Sequence, residues 1–293
     1  MELLFQLLVN GIALGAAYAL IALGLALIWS VTGVFHLAHG GVYVIAGYLI
    51  YAAGLVGAPI WVALPLSCMG AGALGLAINW AVYRPLAARG AKSLTLTVAS
   101  LAVLIFLLNL AAAIWGTETR QVGGLEAVEG FELGPAYVAG SGVAMVATGA
   151  LLFGAGMLVL HTTRIGRALR AVTDNPGMSL VVGVNLGAVR AAAFGIGSAL
   201  TVPAAYLIGL QTGISPYAGM TAILMSSAAV IVGGVGSLAG AGLGALLLAI
   251  AQNVGIWQLD SAWQESIAFG VLLAVIVLRP TGLFGLRSRA GGV

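Results

Sequence analysis

The chain has 293 residues, of which 61% are hydrophobic, 6% are charged and 44 are glycine, and its formal net charge is +3. Soluble domains carry roughly 25% charged residues, so this composition excludes one and identifies an integral membrane protein. Its apolar runs are about 20 residues long, enough to cross a bilayer core of about 30 Å as helices; they are apolar all round, which excludes a transmembrane barrel, whose strands alternate over ~10 residues.

In chain order, the opening "MELLFQLLVNGIALGAAYALIALGLALIW" lacks the positive leader and short apolar region of a cleavable signal peptide, and is expected to remain as a span. The apolar blocks 3–31, 36–57 and 59–83 predict three spans before Arg84. Residues 93–115 and 136–160 predict two more, and three fit near 191–212, 218–233 and 235–256 before a last span at 262–279. The expected fold is an all-α polytopic membrane protein with about 8–9 transmembrane helices. One or two segments, around His36 and in Ser215–Gly234, are expected to be broken or re-entrant.

Charge placement orients these spans. Ten of the eleven basic residues fall in three regions: Arg84, Arg89 and Lys92; Arg164, Arg167, Arg170 and Arg190; Arg279, Arg287 and Arg289. The positive-inside rule makes those regions cytoplasmic. Six of the eight acids, Glu118, Glu126, Glu129, Glu132, Asp260 and Glu265, lie in two other loops and agree with an outward position. The C-terminus is then cytoplasmic and the N-terminus periplasmic. A net charge this small and scattered points to membrane lipid, with no nucleic acid as partner.

Glycines four apart, Gly11 with Gly15 and Gly236 with Gly240 and Gly244, put small faces on one helical side and predict close helix packing. The single cysteine, Cys68, sits in an apolar run as a small filler. No acid or base lies near the middle of a span, where proton- or sodium-coupled carriers place their coupling groups. No catalytic constellation, metal-ligand cluster or phosphate-binding G-x-x-x-x-G-K-[ST] loop is present, so the chain reads as no enzyme, with no cofactor and no metal of its own. The neutral polar residues within apolar runs, Asn79, Asn109, Gln252 and Asn253, either bond neighbouring helices or line a path for a polar solute. In "TGVFHLAHGG", Gly33, Gly40 and Gly41 let the backbone break. His36 and His39 there either satisfy freed backbone groups or act in a pathway or gate.

The stretch "RIGRALRAVTDNPGMSLVVGVN" concentrates charge in an otherwise apolar chain. Asn175 suits an N-cap, Pro176 the first helical position and Gly183 the left-handed residue past the end, predicting a short helix "PGMSLVV". Arg164, Arg167 and Arg170 precede it at i, i+3 and i+6. Such an apolar helix with basic flanks either lies on lipid or docks in a groove of a cytoplasmic partner.

Four runs, "GAAYALIALGLALIWSVTGVFHLAHGGVYVIAGY", "GRALRAVTDNPGMSLVVGVNLGAVRAAAFGIGSAL", "VIVGGVGSLAGAGLGALLL" and "VLRPTGLFG", resemble in order the H-type permease subunits of branched-chain amino acid ABC importers. The resemblance implies a single permease domain over 1–293, with 161–190 as its cytoplasmic coupling loop. It also implies a second permease subunit, a paralogue or a copy, two cytoplasmic ATP-binding subunits that use the ATP, and an extracytoplasmic solute-binding protein. Mapped onto this chain, the residues coupled to the ATPase are Arg167, Arg170, Asp174, Asn175, Pro176 and Gly183. His36, His39, Gly40, Asn79, Asn109 and Asn253 are the candidates for the translocation pathway. The chain departs from the family pattern at His36, where "NFAHG" usually has asparagine, and at Thr201 and Pro203, where small residues are usual. The expected function is import of branched-chain or other amino acids across a bacterial inner membrane. Urea or short-amide permeases are related alternatives; an ATP-independent facilitator or a structural subunit are the rivals outside the family.

Overall fold

Apolar sequence becomes helix almost throughout the computed structural model, which describes residues 1–123 and 129–285. Glu126, Arg287 and Arg289 lie outside the described residues. Among the described residues, seven stretches are long and apolar enough to cross a membrane: Glu2–Thr32, Ile60–Ala88, Ser93–Trp115, Gly140–Thr162, Leu186–Thr212, Leu238–Gly255 and Ser261–Leu278. Two shorter apolar helices, His39–Leu55 and Ala218–Gly233, complete the expected all-α polytopic architecture.

The first span is α1 (Glu2–Thr32), followed by α2 (His39–Leu55) and α3 (Ile60–Ile78). A π-helical turn, Asn79–Tyr83, carries α3 into the short α4 (Arg84–Ala88). After α5 (Ser93–Trp115) comes a small hairpin, β1 (Phe131–Leu133) paired antiparallel with β2 (Ala136–Val138). Then follow α6 (Gly140–Thr162), α7 (Arg164–Asp174), α8 (Pro176–Val181), α9 (Leu186–Ala199), α10 (Thr201–Thr212), α11 (Ala218–Gly233), α12 (Leu238–Gly255) and α13 (Gln264–Leu278).

Central α1 is buried along most of its length and packs on α6, α9, α11 and α12. Its small residues make that possible. A methyl at Gly11 would come within 2.9 Å of the Ile250 Cα, and one at Gly15 within 2.9 Å of the Leu246 Cα. One glycine of the expected triple is corrected. Gly236 has φ 91° and sits in the turn before α12, so it contributes no helical face. The close approach is made by Gly240 and Gly244, whose added methyls would collide with the Gly233 and Ala229 carbonyls of α11.

The Leu186–Thr212 rod is interrupted at Leu200, where α9 gives way to α10. Pro203 supplies no N–H to the turn before it, which is a common cause of a helix break. The Thr201 hydroxyl donates to the Ser198 carbonyl at 2.7 Å and keeps the junction satisfied. Thr201 and Pro203, two of the three residues that depart from the family pattern, thus meet at one bend.

Two elbows organise the interior. α1 ends at Gly33, φ 68°, and α10 ends at Gly213, φ 75°. At both, the preceding threonine donates back one turn, Thr32 to the Ile28 carbonyl at 2.7 Å and Thr212 to the Ile208 carbonyl at 3.1 Å. A non-helical stretch of a few residues follows each, and then a short helix, α2 or α11. At 17 and 16 residues, these two helices are about 25 Å long, less than a full crossing of a ~30 Å core.

The elbows lie at opposite ends of the bundle. The Gly33 carbonyl accepts from Ser93 at the start of α5, whereas Ile214 bridges Arg120 just beyond the end of α5. Arg120, the one basic residue outside the three clusters, spends its guanidinium on the Trp115 carbonyl at the α5 C-terminus. From these elbows α2 and α11 begin side by side in the interior and run apart. Tyr48 of α2 stacks on Trp115 with ring centroids 4.7 Å apart. At the far end of α11, the Leu283 and Phe284 amides donate to the Val232 and Gly233 carbonyls.

Their starting points touch at Gly40 and Gly219. A methyl on Gly40 would collide with the Gly219 carbonyl, and one on Gly219 would lie 2.7 Å from the Gly40 carbonyl. Long helix, glycine elbow, short helix, in two copies of opposite direction, is the inverted repeat of many transporters. Replacing Gly219 with valine is expected to cost about 1–3 kcal/mol through overpacking, seen as a lower melting temperature in detergent. Gly54→Ala, where a methyl meets nothing within 4 Å, is the matched control.

Candidate functional site

The first elbow carries the two histidines, each 0% exposed. Freed backbone there is satisfied by a residue from another helix: Ser100 of α5 accepts the Ala38 amide at 2.9 Å. The Tyr83 hydroxyl donates to the same serine at 2.7 Å, so His36 Nδ1 donates to the Tyr83 oxygen, also at 2.7 Å. His39 Nε2 donates to the Ile21 carbonyl of α1 at 3.1 Å. His39 thus bonds a carbonyl inside the intact helix α1 and not one freed at the break. His36 bonds a side chain instead.

These bonds leave His36 Nε2 and His39 Nδ1 as buried acceptors with no partner, together with Ser198 Oγ. The imidazole centroids are 5.8 Å apart. Phe194 packs edge-on to His36 at 5.0 Å and stacks on Tyr83 at 5.1 Å, walling the cluster on the α9 side. No third His, Cys, Asp or Glu joins the pair among the described residues. Unpaired buried polar atoms are costly, about 1–3 kcal/mol each. The cluster therefore holds unmet polar atoms in an apolar surrounding.

The other pathway candidates distribute unevenly. Gly40 adjoins the histidines at the Gly219 contact. Asn79 begins the π-turn and lines a cavity of about 1010 Å³ whose wall includes Tyr83 and Phe194, so it is linked to the cluster through them. Asn109 is exposed on α5 and donates to the Ile105 carbonyl of its own helix. Asn253 is buried and donates to the Ala249 carbonyl of α12. Tyr83, Ser100 and Phe194 were missed. A π-turn, which re-aims a side chain and often marks functional positions, leaves no periodic signature by which Tyr83 could be found.

The second candidate region is a hook at the end of the bundle that carries the basic residues. The arginines expected to precede a helix form one of their own, α7, capped by Thr163, which accepts the Gly166 amide at 3.0 Å. Leu169 and Val172 bury α7 against Leu27 and Val31 of α1, Leu160 of α6 and Val189 of α9. Arg167 and Arg170 turn back to the end of α6: Arg167 donates to the Thr162 carbonyl at 3.0 Å and Arg170 to the His161 carbonyl at 3.5 Å. Cations at a helix C-terminus satisfy its orphan carbonyls.

Asp174 closes α7 and is exposed. Asn175 then accepts the Met178 amide at 2.9 Å, Pro176 opens α8, and Gly183 follows at φ 84°. This short helix, Pro176–Val181, is one residue shorter than expected and carries the expected caps. It presents apolar side chains outward: Met178 is 59% exposed, Leu180 57% and Val181 81%. A rigid, well-capped helix with this much uncovered apolar surface is built to be covered.

Against this geometry, the family model described as branched-chain amino acid transport system / permease component matches residues 7–277. The chain belongs to that family. It is 33% identical to the high-affinity branched-chain amino acid transport system permease protein BraD of Pseudomonas aeruginosa, over 96% of this chain and 95% of that one. It is 30% identical to the corresponding permease protein LivH of Escherichia coli, with the same coverage. A shorter match, 30% identity over 43% of this chain and 34% of the relative, is to the E. coli xylose transport system permease protein XylH. No solved structure matches the chain. Family membership makes the protein a membrane permease subunit of a transport system, and its helices are those of a permease.

Removing Ser100 tests the buried cluster. Ser100→Ala leaves the Ala38 amide unsatisfied and is expected to destabilise the chain by about 1–3 kcal/mol, read as a lower melting temperature in detergent. Asn109→Ala, on the exposed face of the same helix, is expected to change it far less.

Proposed function

We propose that the chain is one of two permease subunits of a binding-protein-dependent ABC importer in a bacterial inner membrane. Its solutes are branched-chain amino acids or other amino acids, the former being what the names of the full-length relatives specify. The basic face is cytoplasmic by the positive-inside rule, with the N-terminus periplasmic and the C-terminus cytoplasmic. The whole chain, 1–293, is one permease domain; ATP is bound and hydrolysed by two cytoplasmic partners, and the chain uses no cofactor or metal of its own. An extracytoplasmic solute-binding protein delivers the solute.

The uncovered α8 carries this reading. Within the loop 161–190, Met178, Leu180 and Val181 are the docking surface for an ATP-binding subunit. Asp174, Asn175, Pro176 and Gly183 keep the docking helix in shape, and Arg167 and Arg170 stiffen its junction with α6. A push on α8 reaches α7, then Leu27 and Val31 of α1 through Leu169 and Val172. These two α1 residues lie within two turns of the Gly33 elbow. Movement there would part α2 from α11 and expose His36, His39 and Gly40, which act as a gate. Asn79 lines the space beside the gate. Asn109 faces outward from α5, available to the second permease, while Asn253 orders α12 beside α1.

Changing Met178 and Leu180 together to aspartate tests the reading. Insertion and elution in detergent should be unchanged, whereas recovery of ATP-binding subunits by mass spectrometry and ATP-driven uptake of labelled leucine into proteoliposomes should fall at least tenfold. Normal ATP-driven uptake by the double variant would overturn the docking assignment, and uptake independent of ATP would turn the chain into a facilitator.

A further inference from the structure

The cavity beside the π-turn has a composition that gating of the solute does not require. It lies between the α3–α4 segment, the start of α5 and the first turn of α9, at the basic face of the bundle. Two of its lining residues are Arg84 and Arg190, and no Asp or Glu lines it. Arg190 is half-buried, and its Nε is fully buried without a hydrogen-bond partner. Gly187, also on the wall, belongs to the first turn of α9, whose amides have no intrahelical acceptor. The Asn185 side chain caps that turn by accepting the Ala188 amide at 3.0 Å, so the cavity's anion-binding character rests on its two arginines, the unpartnered Arg190 Nε and a wall with no acid among the described residues.

The rest of the wall narrows the class of oxyanion. Leu76, near the end of α3, and Trp80, in the π-turn that follows it, both line the cavity, and Trp80 is 70% exposed. A tryptophan at this depth is an interfacial anchor. An inorganic anion has no use for that apolar strip, and the ammonium group of a free amino acid finds no acid on the described wall; a phosphate with an acyl chain matches both the arginines and the strip. We propose that the cavity binds the phosphate headgroup of an anionic phospholipid, with Arg84 and Arg190 holding the phosphate and the acyl chain descending along Leu76 and Trp80. Basic pockets between helices at the membrane surface bind such headgroups. The proposal depends on the chain spanning a membrane and is independent of which solute it carries.

The occupied cavity would brace the elbow from outside. Tyr83 and Phe194, which enclose His36, form part of its wall, so a lipid there would favour the arrangement in which the histidine cluster is closed.

Native mass spectrometry of the full-length protein, with whatever subunits purify with it, tests the site. After delipidation the protein is titrated with phosphatidylglycerol or with phosphatidylcholine of the same acyl chains. Phosphatidylglycerol should bind about tenfold or more tightly, and Arg84→Gln with Arg190→Gln should remove most of that preference. Ala191→Trp, which fills the cavity and keeps both arginines, should weaken binding of phosphatidylglycerol to a similar extent and guards against misfolding of the double variant. Equal binding of the two lipids, or a preference unchanged in both variants, would overturn the proposal. Competition by inorganic phosphate or leucine at millimolar concentration would also overturn it, assigning the cavity to a soluble anion. So would cross-linking of Arg84 or Arg190 to a second permease, which would make the cavity a subunit interface.

Discussion

Two glycines in contact, Gly40 and Gly219, set the plan of the molecule. At that point the backbones of two short helices meet with no side chain between them, each glycine lying where the other's carbonyl would strike a methyl. Leu107 and Leu108 of α5 fill the space beside Gly41 and Gly219, and the two segments reach the contact through glycine elbows with positive φ. The elbows lie at opposite ends of α5, which is tied to one through Ser93 and to the other through Arg120. A continuous α2 or α11 would have no need of these devices.

Breaking a helix inside a membrane exposes backbone groups that water cannot reach, and the chain must supply partners from elsewhere. Ser100 does so for Ala38. The cost is a dense polar knot of His36, Tyr83 and Ser100 in an apolar surrounding, with acceptors left over on both imidazoles. Such a knot is satisfied in one geometry and expensive in intermediate ones. The surface on which α7 packs, Leu27 and Val31 of α1, lies within two turns of the Gly33 elbow that leads to it.

Much of the architecture was legible from hydropathy alone. Span 93–115 and span 218–233 coincide with α5 and α11, because each is a long apolar run closed by charged or glycine-rich sequence. The hook was legible too, since Asn175, Pro176 and Gly183 are end signals whose meaning is local. The paired elbows were not, because their imprint is only Thr32–Gly33–Val34 against Thr212–Gly213–Ile214, a three-residue match too short to stand out. Nor was the partnership of His36 with Tyr83, which depends on a π-turn that no periodicity reveals. The arginines of α7 stood out because charge is rare in this chain; their bonds to the last carbonyls of α6 were not legible, since they depend on how α7 folds back on that helix.

The two short helices are anchored by different materials. At the end of α11 the chain returns from α13 and gives two backbone amides to the Val232 and Gly233 carbonyls, a short directional clasp. Midway along α2 the corresponding hold is the Tyr48 and Trp115 ring stack, made by side chains alone. The pair is therefore fastened unequally: truncating Trp115 reaches the hold on α2, whereas no side-chain truncation reaches the clasp on α11.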